Sequence, residues 1–341
     1  MKFLIIQLRQ LGDILLTTPV IQAIKTAHPD ATVDFMTYPM GRLIIPGNPM
    51  VSKHWIAPQS GIVEMIRFLR DVRKNHYDVI IDFMGTPRSA MLARLVPAKR
   101  RISFDTGRAF LFTDVAPRDG EPDYIVREKF RLLAPLGIKA TDERLRLPWS
   151  DTDAGVARMF MMTEPLLSAS RRRVILSPTH RRPERRWPLE RWAELAVWLE
   201  KEQNAKVIWI WGPGEDVEID QVMGMVRGVG VKAPKTTFRE LAALIASTDL
   251  FICNCNGPSH ISVAVNTPSI RLSGPTSLIS WSPLTSRHQG VQRQTMAEIT
   301  VQDVKDKVTS MWSLIDIGAG ILRGHGAISN AEEVWHVRPD L

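Results

Sequence analysis

The opening of the chain decides the fold, and it reads Phe3-Leu4-Ile5-Ile6-Gln7-Leu8-Arg9-Gln10-Leu11-Gly12-Asp13. The apolar run at its start is typical of a buried strand, and the polar residues that follow are typical of a loop. An amphipathic helical pattern over Ile14–Ala27 comes next. A strand that passes through a short turn into a helix begins a βαβ unit, so this stretch predicts a parallel sheet with crossover helices.

The same alternation continues along most of the chain. In the first half it predicts further strands at Thr32–Thr37, His54–Ala57, Val79–Phe83 and Arg101–Phe104, and helices at Ile62–Asn75, Arg88–Leu95 and Tyr124–Leu136. In the second half it predicts strands at Val174–Leu176, Val207–Trp211, Leu250–Cys253 and Ser269–Leu272, and helices at Leu189–Gln203, Asp216–Val226, Phe238–Ala246 and Ser259–Val265. We therefore expect an α/β protein with two Rossmann-like, doubly wound domains.

Length and local composition suggest where the domains begin and end. A chain of 341 residues has room for two domains of about 100–200 residues each. We assign residues 1–150 to a first domain, 151–172 to a linker helix and hinge, and 173–315 to a second domain, and we leave 316–341 unassigned. The last helix, Val301–Leu314, is expected to pack back on the first domain. Ligands of open α/β sheets bind beyond the carboxyl ends of the strands, so we expect the domains to face a cleft that holds the site.

Charge and cysteine content narrow the class of protein. Lys and Arg outnumber Asp and Glu by 44 to 36, which favours an anionic partner such as a phosphate or an acidic membrane. Nucleic acid ranks last, because the chain has no recognised binding module. Cys253 and Cys255 are the only cysteines, so a disulfide framework is excluded and a reducing compartment is expected. The longest uncharged stretch, Leu250–Ile270, contains Asn, Ser, Gly and Pro, which are unsuited to a spanning helix. We expect a soluble, cytoplasmic protein.

Asp13 is the first candidate for chemistry. It follows the first strand and stands at the entry to the first helix, on the side where the cleft is expected. One interpretation is a helix N-cap, because Asp is among the best capping residues. The other is a general base. A carboxylate that is engaged with backbone amides is a weaker base, so the two roles compete.

Three polar clusters follow strands of the second half. In residues 178–188, Thr179 and several arginines at a strand end predict a diphosphate clamp, with a solvated basic loop as the alternative. In Gly212-Pro213-Gly214-Glu215, the glycines allow close backbone approach and Glu215 suits a ribose, with an ordinary tight turn as the alternative. In Asn256-Gly257-Pro258-Ser259-His260, amides at a helix start suit a phosphate, while His260 is equally well explained as a core histidine.

Several familiar signatures are absent from the sequence. It contains no P-loop and no G-x-G-x-x-G after the first strand, which argues against NTPases and simple dehydrogenases. Asp151-Thr152-Asp153 is interpreted as an acidic first helical turn rather than a metal ligand pair. No metal site is predicted.

Taken together, these clusters resemble glycosyltransferase family 9, the ADP-heptose:lipopolysaccharide heptosyltransferases, from Met1 to about Leu314. The resemblance is carried by Leu11-Gly12-Asp13, by Tyr77–Asp82 with Arg88-Ser89-Ala90, by Arg185-Arg186-Trp187-Pro188, by Gly212-Pro213-Gly214-Glu215, by Asn256–His260 and by Gly274-Pro275-Thr276. Arg185 stands where the family usually has Lys, and Cys255 where it usually has Asp. The Pro178-Thr179 opening is most similar to the branch that adds the third, side-chain heptose.

The resemblance implies a GT-B fold and an inverting, metal-independent heptosyl transfer without a cofactor. Asp13 would be the catalytic base, and Gly12 would lie beside a phosphorylated lipid A–core acceptor in the first domain. ADP-heptose would be held by the second domain, through Thr179, Arg185, Gly212, Gly214, Glu215, Asn256, Gly257 and His260. We expect a monomer that is peripheral on the cytoplasmic face of the inner membrane, with Lys99-Arg100-Arg101 as a basic contact to anionic lipid. The alternatives are a transferase or epimerase for another nucleotide sugar and, because of Cys255, a catalytically silent sugar-nucleotide-binding protein.

Overall fold

The computed structural model of the protein describes residues 1–118, 121–164, 167 and 172–324. The chain divides into two compact units, Met1–Pro148 and Trp149–Leu341. Each unit has its own parallel sheet and its own buried core.

The first unit alternates strands with helices. Its strands are β1 (Lys2–Ile6), β2 (Thr32–Thr37), β3 (Lys53–Ile56), β4 (Tyr77–Asp82), β5 (Ala98–Phe104) and β6 (Asp114–Ala116). Its helices are α1 (Leu11–Leu15), α2 (Thr18–Ala27), α3 (Ile62–Arg73), α4 (Pro87–Leu95) and α5 (Ile125–Phe130), with 3-10 turns at Pro39–Leu43, Ala109–Leu111 and Arg131–Leu136. The strands form a parallel sheet in the order β3-β2-β1-β4-β5-β6.

The second unit has the same plan. Its strands are β7 (Arg172–Ser177), β8 (Ala205–Trp209), β9 (Val231–Lys232), β10 (Leu250–Asn254), β11 (Ser269–Ser273) and β12 (His288–Gln292). Its helices are α6 (Asp151–Thr163), α7 (Leu189–Lys201), α8 (Asp216–Met225), α9 (Phe238–Ala246), α10 (Pro258–Ala264), α11 (Leu278–Trp281) and α12 (Val301–Gly324). The parallel sheet has the order β12-β11-β10-β7-β8-β9. The expected pair of doubly wound α/β sheets is confirmed.

The central strands are apolar on both faces because helices cover both sides of a doubly wound sheet. The side chains of β1 from Phe3 to Ile6 have no exposed surface. The strand order reverses between β1 and β4 in the first sheet and between β7 and β10 in the second. Loops that leave neighbouring strands in opposite directions open a crevice at such a switch point, and this is where ligands of open sheets bind. The fold therefore points to the loops after β1, β7 and β10.

Some elements differ from the sequence expectation. The helix predicted over Ile14–Ala27 is two helices, because Pro19 in the first turn of α2 has no N–H with which to continue the helix. The carbonyl oxygen of Leu15, which that N–H would have bonded, accepts from the hydroxyl of Thr18 at 2.7 Å. Three edge strands, β6, β9 and β12, were not predicted. The first two are very short, and the third is a polar stretch that contains a glycine.

Helix α6 falls within the segment expected to be a linker and hinge, and the last helix runs further than expected. Helix α6 packs against α9, so this part of the expected linker belongs to the second unit. Helix α12 continues to Gly324, past the residue at which the unassigned tail was expected to begin. Its buried residues pack in the core of the second unit, and they are Val304, Val308, Met311 and Trp312. The remainder of the tail, residues 325–341, lies outside the described residues.

Candidate active site

Asp13 is the third residue of α1 and lies just beyond the end of β1, at the switch point of the first sheet. The N-cap residue of that helix is Gln10, which makes no side-chain capping bond, so the interpretation of Asp13 as the N-cap is wrong. The carboxylate nevertheless interacts with the backbone N–H of Gln10. Asp13 and its neighbour Gly12 are half-buried, so both keep a surface that a ligand can reach.

The surroundings of Asp13 combine burial with positive charge. Burial raises the pKa of the carboxyl above its ordinary value, while the charge of Lys129, the backbone N–H of Gln10 and the charge of Arg118 oppose that rise. The net effect is a raised pKa. A carboxylate with a raised pKa accepts a proton more readily than an ordinary aspartate, which suits a general base.

Lys129 is the partner of Asp13 that was missed in the sequence. It lies on α5 with only 4 % of its surface exposed, its Nζ donates to Gln7 Oε1 at 3.0 Å, and it stands 5.0 Å from the centre of the Phe83 ring. Burial lowers its pKa to about 8, although Asp13 acts in the opposite direction. The sequence does contain a sign that Lys129 is buried. It lies three residues after Val126 and four before Leu133, and this helical spacing places it on the same buried face as those two apolar residues.

In the second unit, Thr179 and Glu215 meet beyond the ends of β7 and β8. The hydroxyl of Thr179, which is only 3 % exposed, donates to Glu215 Oε2 at 2.5 Å, and the backbone N–H of Gly212 donates to the same oxygen at 2.9 Å. A Cβ on Gly212 would come within 2.8 Å of that oxygen, and Gly214 has a φ of +82° that favours glycine. Glu215 Oε1 accepts no hydrogen bond from the residues that the structure describes, which leaves it for a ligand hydroxyl.

Two asparagines join the loops after β7 and β10. Asn256 Nδ2 donates to Ser177 Oγ at 3.1 Å and to the carbonyl oxygen of Thr179 at 3.2 Å. Asn254 is fully buried, accepts from the backbone N–H of Trp187 at 3.2 Å and donates to the carbonyl oxygen of Pro178 at 2.6 Å. These bonds fix the loop that carries Thr179. Asn254 was not among the predicted site residues, although it lies in the same cluster of small polar residues as Asn256.

The remaining predicted residues of that loop are Gly257 and His260. Gly257 is the N-cap of α10, where the backbone is open to approach because a Cβ would meet no atom within 4 Å. His260 is 6 % exposed, and its Nδ1 has no partner among the described residues. Burial, and secondarily the charge of Arg271, lower its pKa well below the ordinary value, so it is neutral at pH 7. This agrees with the core-histidine alternative better than with a charged phosphate ligand.

The arginines of the loop before α7 have different partners. Arg186 is bound within the unit, because it pairs with Glu218 and its Nε donates to the carbonyl oxygen of His180 at 2.5 Å. Arg185 is half-buried, and its Nε is buried with no hydrogen-bond partner in the described part of the chain. The Arg185 side chain forms no hydrogen bond or ion pair with the described residues, so its charge is left for an anionic group.

Cys255 lies close to the same guanidinium. Burial raises the pKa of its thiol, while the charges of Arg271 and Arg185 oppose that rise. The thiol is therefore neutral at pH 7, and it brings no negative charge to the position where the resemblance leads one to expect an aspartate.

The structure thus joins Thr179, Gly212, Glu215 and Asn256 through hydrogen bonds, and it places Arg185 beside Cys255. Over residues 1–118, 121–164, 167 and 172–324, no group of three or more His, Cys, Asp or Glu side chains is arranged to hold a metal ion. Over the same residues, none of the helices is long and apolar enough to cross a membrane.

The sequence of the chain is similar to those of known proteins. The model of glycosyltransferase family 9 (heptosyltransferase) matches residues 65–309. Lipopolysaccharide heptosyltransferase 3 of Escherichia coli K12 is 31 % identical over 299 residues, which cover 82 % of this chain and 84 % of that protein. A second Escherichia coli protein of the same name is 29 % identical over 321 residues, which cover 89 % of this chain and 92 % of that protein.

Solved structures show the same fold at low sequence identity. A family 9 glycosyltransferase from Veillonella parvula has a TM-score of 0.81 at 20 % identity, with 92 % of this chain and 97 % of that chain covered. Escherichia coli ADP-heptose lipopolysaccharide heptosyltransferase II has a TM-score of 0.75 at 21 % identity, with 91 % and 98 % covered. The GT-B fold expected from the resemblance is confirmed. The protein is a glycosyltransferase, and it belongs to glycosyltransferase family 9, the heptosyltransferases.

Proposed function

We propose that the protein transfers heptose from ADP-heptose to the inner core of lipopolysaccharide, by an inverting displacement that needs no metal ion. The observation that carries this proposal is the 31 % identity to lipopolysaccharide heptosyltransferase 3 over 82 % of the chain. A structural relative, the Escherichia coli heptosyltransferase WaaC, was solved with ADP-2-deoxy-2-fluoro heptose, which supports the choice of donor. The similarity of Pro178-Thr179 to the branch that adds the third heptose, together with two relatives named lipopolysaccharide heptosyltransferase 3, supports the third heptose as the one that is added.

The proposed reaction uses one base and one cationic group. The carboxylate of Asp13 takes the proton of an acceptor hydroxyl while that oxygen attacks the anomeric carbon of the heptose. The bond from this carbon to the diphosphate breaks, ADP leaves with the electron pair, and the configuration at carbon is inverted. The guanidinium of Arg185 neutralises the charge that develops on the leaving diphosphate.

The donor is proposed to bind beyond the ends of β7, β8 and β10. Glu215, held by Thr179 and Gly212, keeps Oε1 for a ribose hydroxyl. Gly214, Asn256 and the backbone at Gly257 border the same loops, and His260 supports them as a neutral, buried side chain. The acceptor, a phosphorylated lipid A–core, would lie beside Gly12 and Asp13 at the cytoplasmic face of the inner membrane.

A donor panel tests the proposed reaction. The protein is incubated with ADP-heptose, or with other ADP-, UDP- or GDP-sugars, in the presence and absence of a lipopolysaccharide acceptor that lacks the third heptose. We expect release of ADP and a gain of one heptose in acceptor mass, only when ADP-heptose and acceptor are both present. Transfer from another nucleotide sugar, or conversion of a donor without acceptor, would contradict the proposal in favour of the other transferase or the epimerase. Binding without turnover would favour the silent protein.

Substitution of Lys129 tests its effect on Asp13. The charge of Lys129 opposes the rise in the pKa of Asp13, so Lys129→Met should raise that pKa further and move the acidic limb of kcat/KM to higher pH. The same change should stabilise the fold at pH 7. The folded chain holds this lysine with a pKa of about 8 against the ordinary 10.5, and each unit is about 1.4 kcal/mol of penalty on the charged form.

The stability effect has a definite pH window. Between about pH 8 and pH 10.5 the unfolded chain binds more protons at this site, so the stability of the native protein rises with pH there. Lys129→Met should flatten this rise. It should also increase the free energy of unfolding at pH 7 by roughly 1–3 kcal/mol, a net value from which about 1 kcal/mol for the lost hydrogen bond to Gln7 has been subtracted. Urea unfolding at pH 7 and pH 10 measures it. The control Lys206→Met removes the partner of Glu200, 2.8 Å away, and should destabilise instead. A destabilised Lys129→Met with an unchanged pH profile would contradict this account.

A further inference from the structure

Helix α3 leaves three aliphatic side chains in solvent. Ile62, Val63 and Ile66 are 81 %, 53 % and 62 % exposed. The helix already has an inward face, because Met65, Phe68, Leu69 and Val72 pack in the core of the first unit. The three exposed residues therefore add nothing to that core, and a cluster of large apolar side chains in water indicates a contact surface.

Basic side chains continue the same exposed face. At 100° per residue, Arg67, Arg70, Arg73 and Lys74 fall with the three aliphatic residues in an arc of about 140°, and the arc contains no carboxylate. The two acidic residues of the helix, Glu64 and Asp71, lie outside the arc. Aliphatic and basic side chains on one exposed face supply the two attractions that hold a peripheral protein on a bilayer, apolar burial and attraction to anionic lipid.

The basic run expected to contact lipid is less suited to that role. Lys99 Nζ lies 2.7 Å from Asp78, and Arg100 lies 2.5 Å from Asp114. The guanidinium of Arg101 donates to three backbone carbonyl oxygens, at 2.9, 3.1 and 3.0 Å. On α3, Lys74 pairs with Asp71 at 2.8 Å and Arg73 donates to the carbonyl oxygen of Leu95 at 2.7 Å. In contrast, Arg67 makes no ion pair with any described residue, and Arg70 reaches Asp71 only at 3.9 Å. The charges of Arg67 and Arg70 are thus the more available to an external anion.

We propose that this face of α3, formed by Ile62, Val63, Ile66, Arg67, Arg70, Arg73 and Lys74, binds the anionic surface of a lipid bilayer. The aliphatic side chains enter the boundary between head groups and acyl chains, and the basic side chains contact lipid phosphates. A bilayer is favoured over a protein partner because its acyl chains and its phosphates can contact the aliphatic and the basic side chains along the same face. Charges of one sign on this face also disfavour pairing with a second copy of the same helix.

The inference rests on the proposed function only in that the proposed acceptor is a membrane lipid. Binding of the protein to vesicles is measured without donor or acceptor, so it does not depend on the proposed reaction. The full chain is sedimented with vesicles of phosphatidylcholine alone, or of equimolar phosphatidylcholine and phosphatidylglycerol, at low and high salt. We expect binding to the anionic vesicles and little to the neutral ones. Ile62→Ser/Ile66→Ser and Arg67→Gln/Arg70→Gln should each weaken binding roughly tenfold or more, and the basic pair should remove most of the salt dependence.

Matched controls come from exposed residues of the second unit. Met159→Ser/Met162→Ser removes side chains that are 66 % and 79 % exposed, and Arg227→Gln/Lys235→Gln removes two exposed charges. Neither control should change vesicle binding, and all four variants should keep the wild-type Tm. Wild-type binding by the α3 variants, equal losses in the controls, or a mass that shows self-association through α3 would overturn the inference. Transfer to an acceptor freed of its lipid chains should survive in the α3 variants, so loss of catalysis and loss of membrane binding are distinguished.

Discussion

Asp13→Asn is expected to lower kcat for heptose transfer by about 10²–10⁴-fold, the usual contribution of a general base. The asparagine keeps the size of the side chain but cannot accept the acceptor proton. The Kd for ADP should not change, because the donor residues lie in loops of the second unit. Single-turnover kinetics, with ADP affinity and Tm measured on the same preparations, separates loss of chemistry from loss of binding or folding.

The wild-type pH profile belongs to the same prediction. Because the pKa of Asp13 is raised, its base form is lost as the pH falls through a value above that of an ordinary aspartate. The acidic limb of kcat/KM should therefore lie at higher pH than the ordinary aspartate pKa of 3.8 would give. Asp13→Glu should retain part of the activity and an acidic limb, whereas Asp13→Asn should lose the limb together with the activity.

Asp153 provides a control for a purely structural role of Asp13. It is also the third residue of a helix, and its carboxylate accepts the backbone N–H of the N-cap residue Ser150 at 2.7 Å. Asp153→Asn keeps an oxygen that can accept this bond but loses the negative charge near the helix N-terminus, so it should cost about 0.3–1 kcal/mol of stability and leave kcat intact. If Asp13→Asn behaves like Asp153→Asn, the carboxylate of Asp13 serves its helix and the proposed base is wrong.

The sheets were predictable because the burial of a central strand between two layers of helices is visible in the sequence as a short run of apolar residues. A strand covered by helices on both faces is mostly apolar, so β1 and β10 are evident as apolar runs. The edge strand β12 buries little more than His288 and Val291, and it joins the sheet through backbone hydrogen bonds that any sequence can make. The break between α1 and α2 comes from Pro19 rather than from a change in the apolar period.

The site shows a similar contrast between loops and packing. The turn beyond β8 is recognisable in the sequence by Gly212, Gly214 and Glu215, because glycine permits backbone conformations that other residues avoid. Glu215 then contacts Thr179 because β7 and β8 are neighbours in the sheet. Lys129 lies 116 positions from Asp13 in the sequence, and no local pattern connects the two. Only the packing of α5 beside the loop after β1 brings its charge to the carboxylate. Electrostatic partners of this kind follow from the folded chain, while the groups that touch substrate are often marked in the sequence.

Arg185→Met is expected to reduce kcat by about 10²–10³-fold, the usual loss when one group that stabilises a developing anion is removed. The guanidinium is half-buried, and its Nε has no partner in the residues described, so its charge is available for the leaving diphosphate. Arg185→Lys should restore much of the turnover, because it returns the charge with fewer donors. The measurement is kcat and KM for ADP-heptose, with ADP release as the signal.

Arg186→Met is the matched control, since it removes the same charge at the next residue. Arg186 is already engaged by Glu218 and by the carbonyl oxygen of His180, so its loss should lower Tm while kcat stays near the wild-type value. If both arginines lowered kcat equally, the effect would come from the general positive field of the loop, and the assignment to Arg185 would fail. If only Arg185→Met lost turnover and Arg185→Lys recovered it, a positive charge at this position is what the departing diphosphate requires. That result would also explain how a neutral thiol at Cys255 is compatible with transfer, because the charge that matters is the cationic one beside it.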